Sequence, residues 1–247
     1  MCDPAGARGR GWRGWKPIPE PVVAGIPDGP WLDLSHPLNA AMPRVPTFPP
    51  PVVRKRMCMP ADPLNVTEFS MVVHTGTHID APRHFFDDGP ALEGIPLSRL
   101  HGPGVVWGLD GLAPESLIEV SHLEAARPLL RPGDILALDT GWSRLAGTEA
   151  YEAHPSLSLD AAAWLVDRAV KLLACDFPTP DMPVHRRPPG FDWPVHKRLL
   201  GDGVLICEHL RGHAPLSGRR AEFMFNALNI EGSDGAPARV LARAVRD

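Results

Sequence analysis

The residues best suited to chemistry lie close together. The stretch "VHTGTHIDAPRHF", Val73–Phe85, puts His74, His78, Asp80 and His84 within eleven residues of a 247-residue chain that has eleven histidines in all. Imidazole nitrogens beside a carboxylate suit Zn, Mn or Fe in the divalent state, and a further histidine suits proton transfer near neutral pH. A helix would put His74 and His78 on one face, but Gly76, the β-branched Val72, Val73, Thr75, Thr77 and Ile79, and then Pro82 all oppose helix. In an extended chain, positions of one parity share a face, and His74, His78, Asp80 and His84 are all even-numbered. A straight strand would still hold the Cα atoms of His74 and His78 about 13 Å apart, too far for two ligands with bonds near 2.1 Å. The chain must therefore bend at Gly76, where a missing Cβ tolerates unusual φ and leaves room for an ion. The expectation is a strand ending near His74, followed by a curved loop.

Bent in this way, His74, His78 and Asp80 form an N,N,O set with open positions, which is the arrangement of catalytic more often than of structural metal sites. His84 could be a fourth ligand or a base, and the need for a proton shuttle favours the base. One histidine in a loop would carry little weight; shared parity around a glycine is what points to a site. The other histidines are read as mostly surface or loop residues.

The elements that must position this cluster are short. Residues 1–30 are rich in Gly, Pro and Arg and read as an irregular arm with Trp12 and Trp15 as anchors. "WLDLS" at 31–35 reads as a strand, and "MPRVPTFPPP" at 42–51 as a loop, because proline removes ladder donors. "VTEFSMVV" leads into the cluster as a strand, and "GPGVVWGLDG", "DILALDTGW", "KLLACD" and "VLICEHL" read as buried strands. "DAAAWLVDRAV" at 160–170 is the best helix, with Asp160 as N-cap and Ala163, Leu165, Val166 and Val170 along one side. "PVHKRLL" offers a helical turn or two, and "AEFMFNALNI" and "ARVLARAV" close the chain as strands. Together they predict a β-rich α/β (α+β) domain over 31–247 with helices packed on its sheets.

Composition bounds the function. The chain is 44% hydrophobic and 22% charged with a formal net charge of −4, which gives no basic footprint for nucleic acid. No apolar run is long enough for a membrane span and no signal-peptide core opens the chain. Cys2, Cys58, Cys175 and Cys207 form no CxxC pair, which suits reduced thiols in a cytoplasmic protein.

"HTGTHIDAPRHF" resembles the H-x-G-T/A-H-x-D-x-P-x-H signature of the metal-dependent cyclase family, which includes bacterial kynurenine formamidase and isatin hydrolase. The likeness runs on through "WLDLSHPLNAAMP", "IPLSRLHGPGVV", "GDILALDTGW", "VKLLACDFPTPD" and "VHKRLLGDGVLICEHL". It implies a swivelling β/β/α domain, a homodimer or homotetramer, and hydrolysis of a small-molecule amide. It further implies that His74, His78 and Asp80 bind a first metal with Asp80 able to bridge, that His84 gives and takes the proton, and that His196 and Glu208 complete a second metal site. A carboxylate at 208 favours two ions, Zn2+ or Mn2+, over one. Val45, Phe48, Phe85 and Phe86 are the expected substrate contacts. One position departs from the formamidases: Val45 stands where their Pro-rich loop carries a tryptophan.

Three functions compete on this evidence. Hydrolysis of an amide or lactam is the first. A metal that stabilises an oxyanion can equally stabilise an enolate, so cyclisation or dehydration of a polyketide-like intermediate is the second. Metal or ligand binding without turnover is the third, and the open donor set together with His84 argues against it.

Overall fold

The computed structural model describes residues 10–19 and 25–246. Its strands are β1 (Ile26–Pro27), β2 (Leu32–Asp33), β3 (Val52–Met57), β4 (Val66–Ser70), β5 (His78–Asp80), β6 (His101–Gly108), β7 (Leu117–Ile118), β8 (Ile135–Asp139), β9 (Ser156–Leu157), β10 (Leu172–Cys175), β11 (Leu205–Glu208), β12 (Arg219–Ala227) and β13 (Gly235–Arg246). The α-helices are α1 (Val120–Ala125), α2 (Leu159–Asp167) and α3 (Pro194–Gly201).

Nine strands form one sheet in the order β1-β13-β12-β6-β8-β10-β11-β5, with β2 added beside β13. A further pairing of β13 with β5 closes seven of them into a barrel. β6, β8, β10 and β11 run parallel at its centre, while β5 lies antiparallel to both β11 and β13.

The central strands are apolar without alternation because both of their faces are covered. Leu136, Leu138, Leu173, Cys175 and Ile206 face the outer layer, where they meet Leu165 and Val166 of α2 and Val195, Leu199 and Leu200 of α3. Their neighbours Ile135, Ala137, Leu172, Ala174 and Cys207 face the barrel interior with Ile79, Phe223, Phe225 and Val240. β3 and β4 form a separate two-stranded hairpin.

Several expectations are corrected. α2 is capped by Ser158, whose side chain accepts from Ala161 N, and not by Asp160; a hydroxyl one turn earlier reaches the free N–H. The helix stops at Asp167, and its buried face is Ala161, Ala162, Leu165 and Val166, which excludes Ala163. Val170 falls beyond it, after Ala169 adopts a φ of +54°. The arm is not wholly irregular, because Ile26 and Pro27 pair with Arg246 and Val245. Trp12 packs on the outer core and Trp15 on the inner one. Cys2 lies outside the described residues. Among those described, no helix is long and apolar enough to cross a membrane.

Candidate active site

The chain bends where the spacing requires it, but the strand lies on the other side of the bend. β4 ends at Ser70, 71–77 is irregular, Gly76 adopts a φ of +63°, and His78–Asp80 is strand. The space left by the missing Cβ is taken by Met42 and leaves no room there for an ion: a methyl would stand 1.8 Å from Met42 Cε. Ladder pairing then fixes the donors. Glu208 lies opposite His78 and Ile206 opposite Asp80 on β11, while on β13 Pro237 lies opposite His78 and Gly235 opposite Asp80. His196 arrives on α3, whose start is pinned from a distance: Asp181 accepts from the backbone N–H groups of Val195 and His196, each at 3.0 Å.

Each histidine of this group has its outer ring nitrogen fixed by an acceptor. His74 Nε2 is 2.8 Å from Asp234 Oδ2, His78 Nδ1 is 2.7 Å from Gly76 O, and His196 Nδ1 is 2.6 Å from Asp181 Oδ2. Read as N–H donors, these three bonds turn the remaining nitrogens inward. His74 Nδ1 is 2.8 Å and His78 Nε2 3.2 Å from Asp80 Oδ1. On the other side of the same carboxylate, His196 Nε2 is 3.5 Å from Asp80 Oδ2 and 3.2 Å from Glu208 Oε1.

Two buried donor sets therefore share Asp80: His74, His78 and Asp80 in one, Asp80, His196 and Glu208 in the other. His78 Nε2 and Asp80 Oδ2 are buried without a hydrogen-bond partner. Orphaned acceptors at the centre of converging imidazoles and carboxylates fit a bound divalent cation. In the ion's absence protons take its place. Burial opposes charge on His74, but Asp234 and Asp80 outweigh it and push its pKa up to about 10. His196 is held well above the usual value against burial by Asp181, Asp80 and Glu208, and Asp80 is held well below its own, against burial, chiefly by His196, His74 and His78.

His84 stands beside the donor sets, its ring stacked on His74 with centroids 3.8 Å apart and its Nδ1 3.3 Å from Asp234 Oδ2. It faces a cavity of about 670 Å3 lined by Val45, Phe48, Phe85, Arg187, Phe191 and Trp193, among others. Val45, Phe48 and Phe85, the expected substrate contacts, thus line the cavity. Phe86 does not: it is 7% exposed and packs in the outer core, because consecutive residues after a 3-10 turn point apart. Trp142 is likewise structural, its Nε1 donating to Tyr151 O from within the core. Of the histidines read as surface or loop, His154, His209 and His213 lie in loops but are buried, each 1% exposed.

Asp181, Asp234, Arg187, Phe191 and Trp193 were not singled out from the sequence. The only signal for Asp181 was "PTPD" within the resemblance, and Asp234 follows a Gly-Ser turn that looks like any loop. Phe191 and Trp193 sit in a Pro-rich segment without period.

Known proteins share this arrangement of chain. Kynurenine formamidase of Bacillus mycoides is 29% identical over 222 residues, which is 87% of this chain and 98% of that protein. The enzyme of the same name from Bordetella petrii is 32% identical over 154 residues, covering 60% and 69% respectively. Among solved structures, a potential metal-dependent hydrolase with cyclase activity superposes with a TM-score of 0.72 at 27% identity, over 88% of this chain and 99% of that one. Isatin hydrolase A of Labrenzia aggregata shares the fold with a TM-score of 0.79 at 22% identity, over 88% and 94%. The family described as "Putative cyclase" matches residues 32–182, and with the closed sheet and the shared Asp80 already in view, the chain belongs to that family.

Proposed function

We propose that the protein is a metal-dependent hydrolase of a small-molecule amide or lactam C–N bond. The observation that carries this is the pair of buried donor sets meeting at Asp80, with every outer histidine nitrogen already fixed. His74, His78 and Asp80 would hold one divalent ion and Asp80, His196 and Glu208 a second, Zn2+ or Mn2+ being the fitting metals. When bound, such an ion supplies Lewis acidity, polarising a carbonyl and making nearby water acidic enough to ionise near neutral pH.

The chain supplies the rest. Asp234 accepts from His84 Nδ1–H, which leaves Nε2 with its lone pair. Nε2 takes the proton from the attacking water and delivers it to the departing nitrogen, so that the amine leaves uncharged. Asp234 also bonds His74, which ties the orientation of the proton carrier to that of a ligand. The aromatic wall of the cavity holds the leaving-amine side of the substrate and excludes bulk water. We place the enzyme in the cytoplasm as a homodimer or homotetramer, on the strength of the family resemblance and the reduced thiols.

The test pairs metal content with turnover of N-formylkynurenine and isatin. His84→Gln is expected to keep the metal of the wild type and lose roughly 10²- to 10⁴-fold in kcat. Wild-type turnover by His84→Gln would remove that residue from the chemistry, and turnover unaffected by chelation would end the metal-dependent reading.

A further inference from the structure

The cavity contains a cation that hydrolysis of a plain amide does not use. Arg187 lies on the aromatic wall, its guanidinium carbon 5.1 Å from the ring centroid of Phe191 and 5.6 Å from that of Trp193. Trp193 in turn stands 5.7 Å from Phe191 and 6.0 Å from Phe85, so the wall is continuous down to the ring that touches His196 and His84. Nε of Arg187 donates to Met182 O at 2.8 Å, which fixes the guanidinium plane. Among the described residues its two Nη atoms meet no acceptor, although Glu152 and Glu208 line the same cavity.

Other arginines of the chain meet acceptors through Nη atoms, Arg13 at Asp202, Arg220 at Asp134 and Arg99 at the carbonyls of Gly203 and Lys16, whereas half-buried Arg44 resembles Arg187 in donating through Nε, to Phe48 O. Partial burial lowers the pKa of Arg187 from its ordinary value, and the nearby carboxylates of Asp181 and Glu208 offset this only in part. A fixed guanidinium fork with both Nη atoms free, beside stacked rings, has the geometry that recognises a planar carboxylate bidentately. A doubly charged phosphate suits the place less well, since Glu152 and Glu208 line the same space.

We propose that Arg187 determines specificity and that the substrates are aryl amides bearing a carboxylate, the ring lying on Phe85 and Trp193 and the carboxylate on the two Nη atoms. This rests on the hydrolase reading only for the scissile bond, and binding tests it separately. Metal-loaded protein is titrated with 3- and 4-aminobenzoate and with the uncharged 3- and 4-aminobenzamides, followed by calorimetry. The wild type should prefer the carboxylates by roughly 10- to 100-fold, the ordinary worth of a charge-assisted bond pair. Arg187→Gln should bind the benzamides unchanged, which shows that it is folded, and lose the preference; Arg187→Lys should keep part of it. Equal wild-type binding of acid and amide overturns the proposal, as does a preference that survives in Arg187→Gln, since the carboxylate would then be held elsewhere.

The formamido derivatives separate the two readings. Arg187→Gln should raise KM for 4-formamidobenzoate by the same factor while kcat stays within a few-fold and 4-formamidobenzamide is unaffected. An unchanged KM overturns the proposal. Hydrolysis of neither compound by the wild type, with the binding preference intact, counts against the hydrolase reading and in favour of Arg187 as a carboxylate receptor.

Discussion

Asp181→Asn removes one charge from a residue that is 1% exposed and changes its shape very little. One carboxylate oxygen takes the N–H of Val195, while the other takes both the N–H of His196 and its Nδ1–H, the latter at 2.6 Å. An amide can keep the first bond, but its NH2 group must face the two remaining donors. The loss of a charge-assisted bond to a side chain costs about 1.5–3 kcal/mol, and the lost first-turn contact about 1 more. About 3 kcal/mol in all corresponds to a fall in Tm of roughly 6–12 °C for a chain of this size. His196 also loses the acceptor that turns its Nε2 toward Glu208 and Asp80, so affinity at that set should fall roughly 10- to 100-fold while the set of His74 and His78 keeps its own. The assay is a competitive metal titration of the wild type and Asp181→Asn against a chromophoric chelator, with thermal unfolding at each loading. Two unchanged affinities beside a lowered Tm would refute the argument and leave Asp181 a helix cap alone. Equal loss at both sets would refute it differently, by showing that the sets are not separable.

Gly76→Ala should cost about 2–4 kcal/mol, the sum of a positive φ and a collision with Met42, and Met42→Ala added to it should recover the collision part in chemical denaturation. pH should act on the metal-free protein from two sides. His74, raised to about 10, contributes stability that is whole below pH 6.5 and is lost as pH climbs toward 10; His154, buried and lowered to about 4, contributes stability present above 6.5 and lost as pH falls toward 4. Stability of the stripped protein should therefore peak near pH 6.5, with each limb worth on the order of a few kcal/mol. A bound divalent ion replaces the proton of His74 and should flatten the alkaline limb; equal alkaline slopes with and without metal would contradict this.

Much of the fold was legible because it follows from period. The unbroken apolar runs of β8 and β10 mark strands buried on both faces, and the Pro-rich 42–51 is irregular as its missing donors require. Parity placed His74, His78 and Asp80 together, and the reach of a metal bond located the bend at Gly76. Which side of the bend was strand could not be read, because that depends on β11 and β13 reaching Asp80 from more than a hundred residues away. The same holds for Asp181 and Asp234, single carboxylates whose meaning comes only from the histidines they meet. His196 and Glu208 became visible through resemblance alone; eleven residues of helix, turn and strand lie between them, and no local pattern announces that they converge. Phe86 misled because a 3-10 turn sends adjacent side chains in different directions.

The three-residue strand β5 is the stave that closes the barrel, and it also carries His78 and the shared carboxylate of Asp80 to their distant partners. Its neighbours on either side come from the final fifth of the chain. On the ribosome, Asp80 is synthesised about 150 residues before Asp234, an interval of roughly 8–30 s at ordinary elongation rates. During that time His74 lacks its outer acceptor Asp234, and His78 and Asp80 lack the opposing strand β13. Barrel closure and assembly of the two donor sets are therefore one event, which cannot precede synthesis of β13.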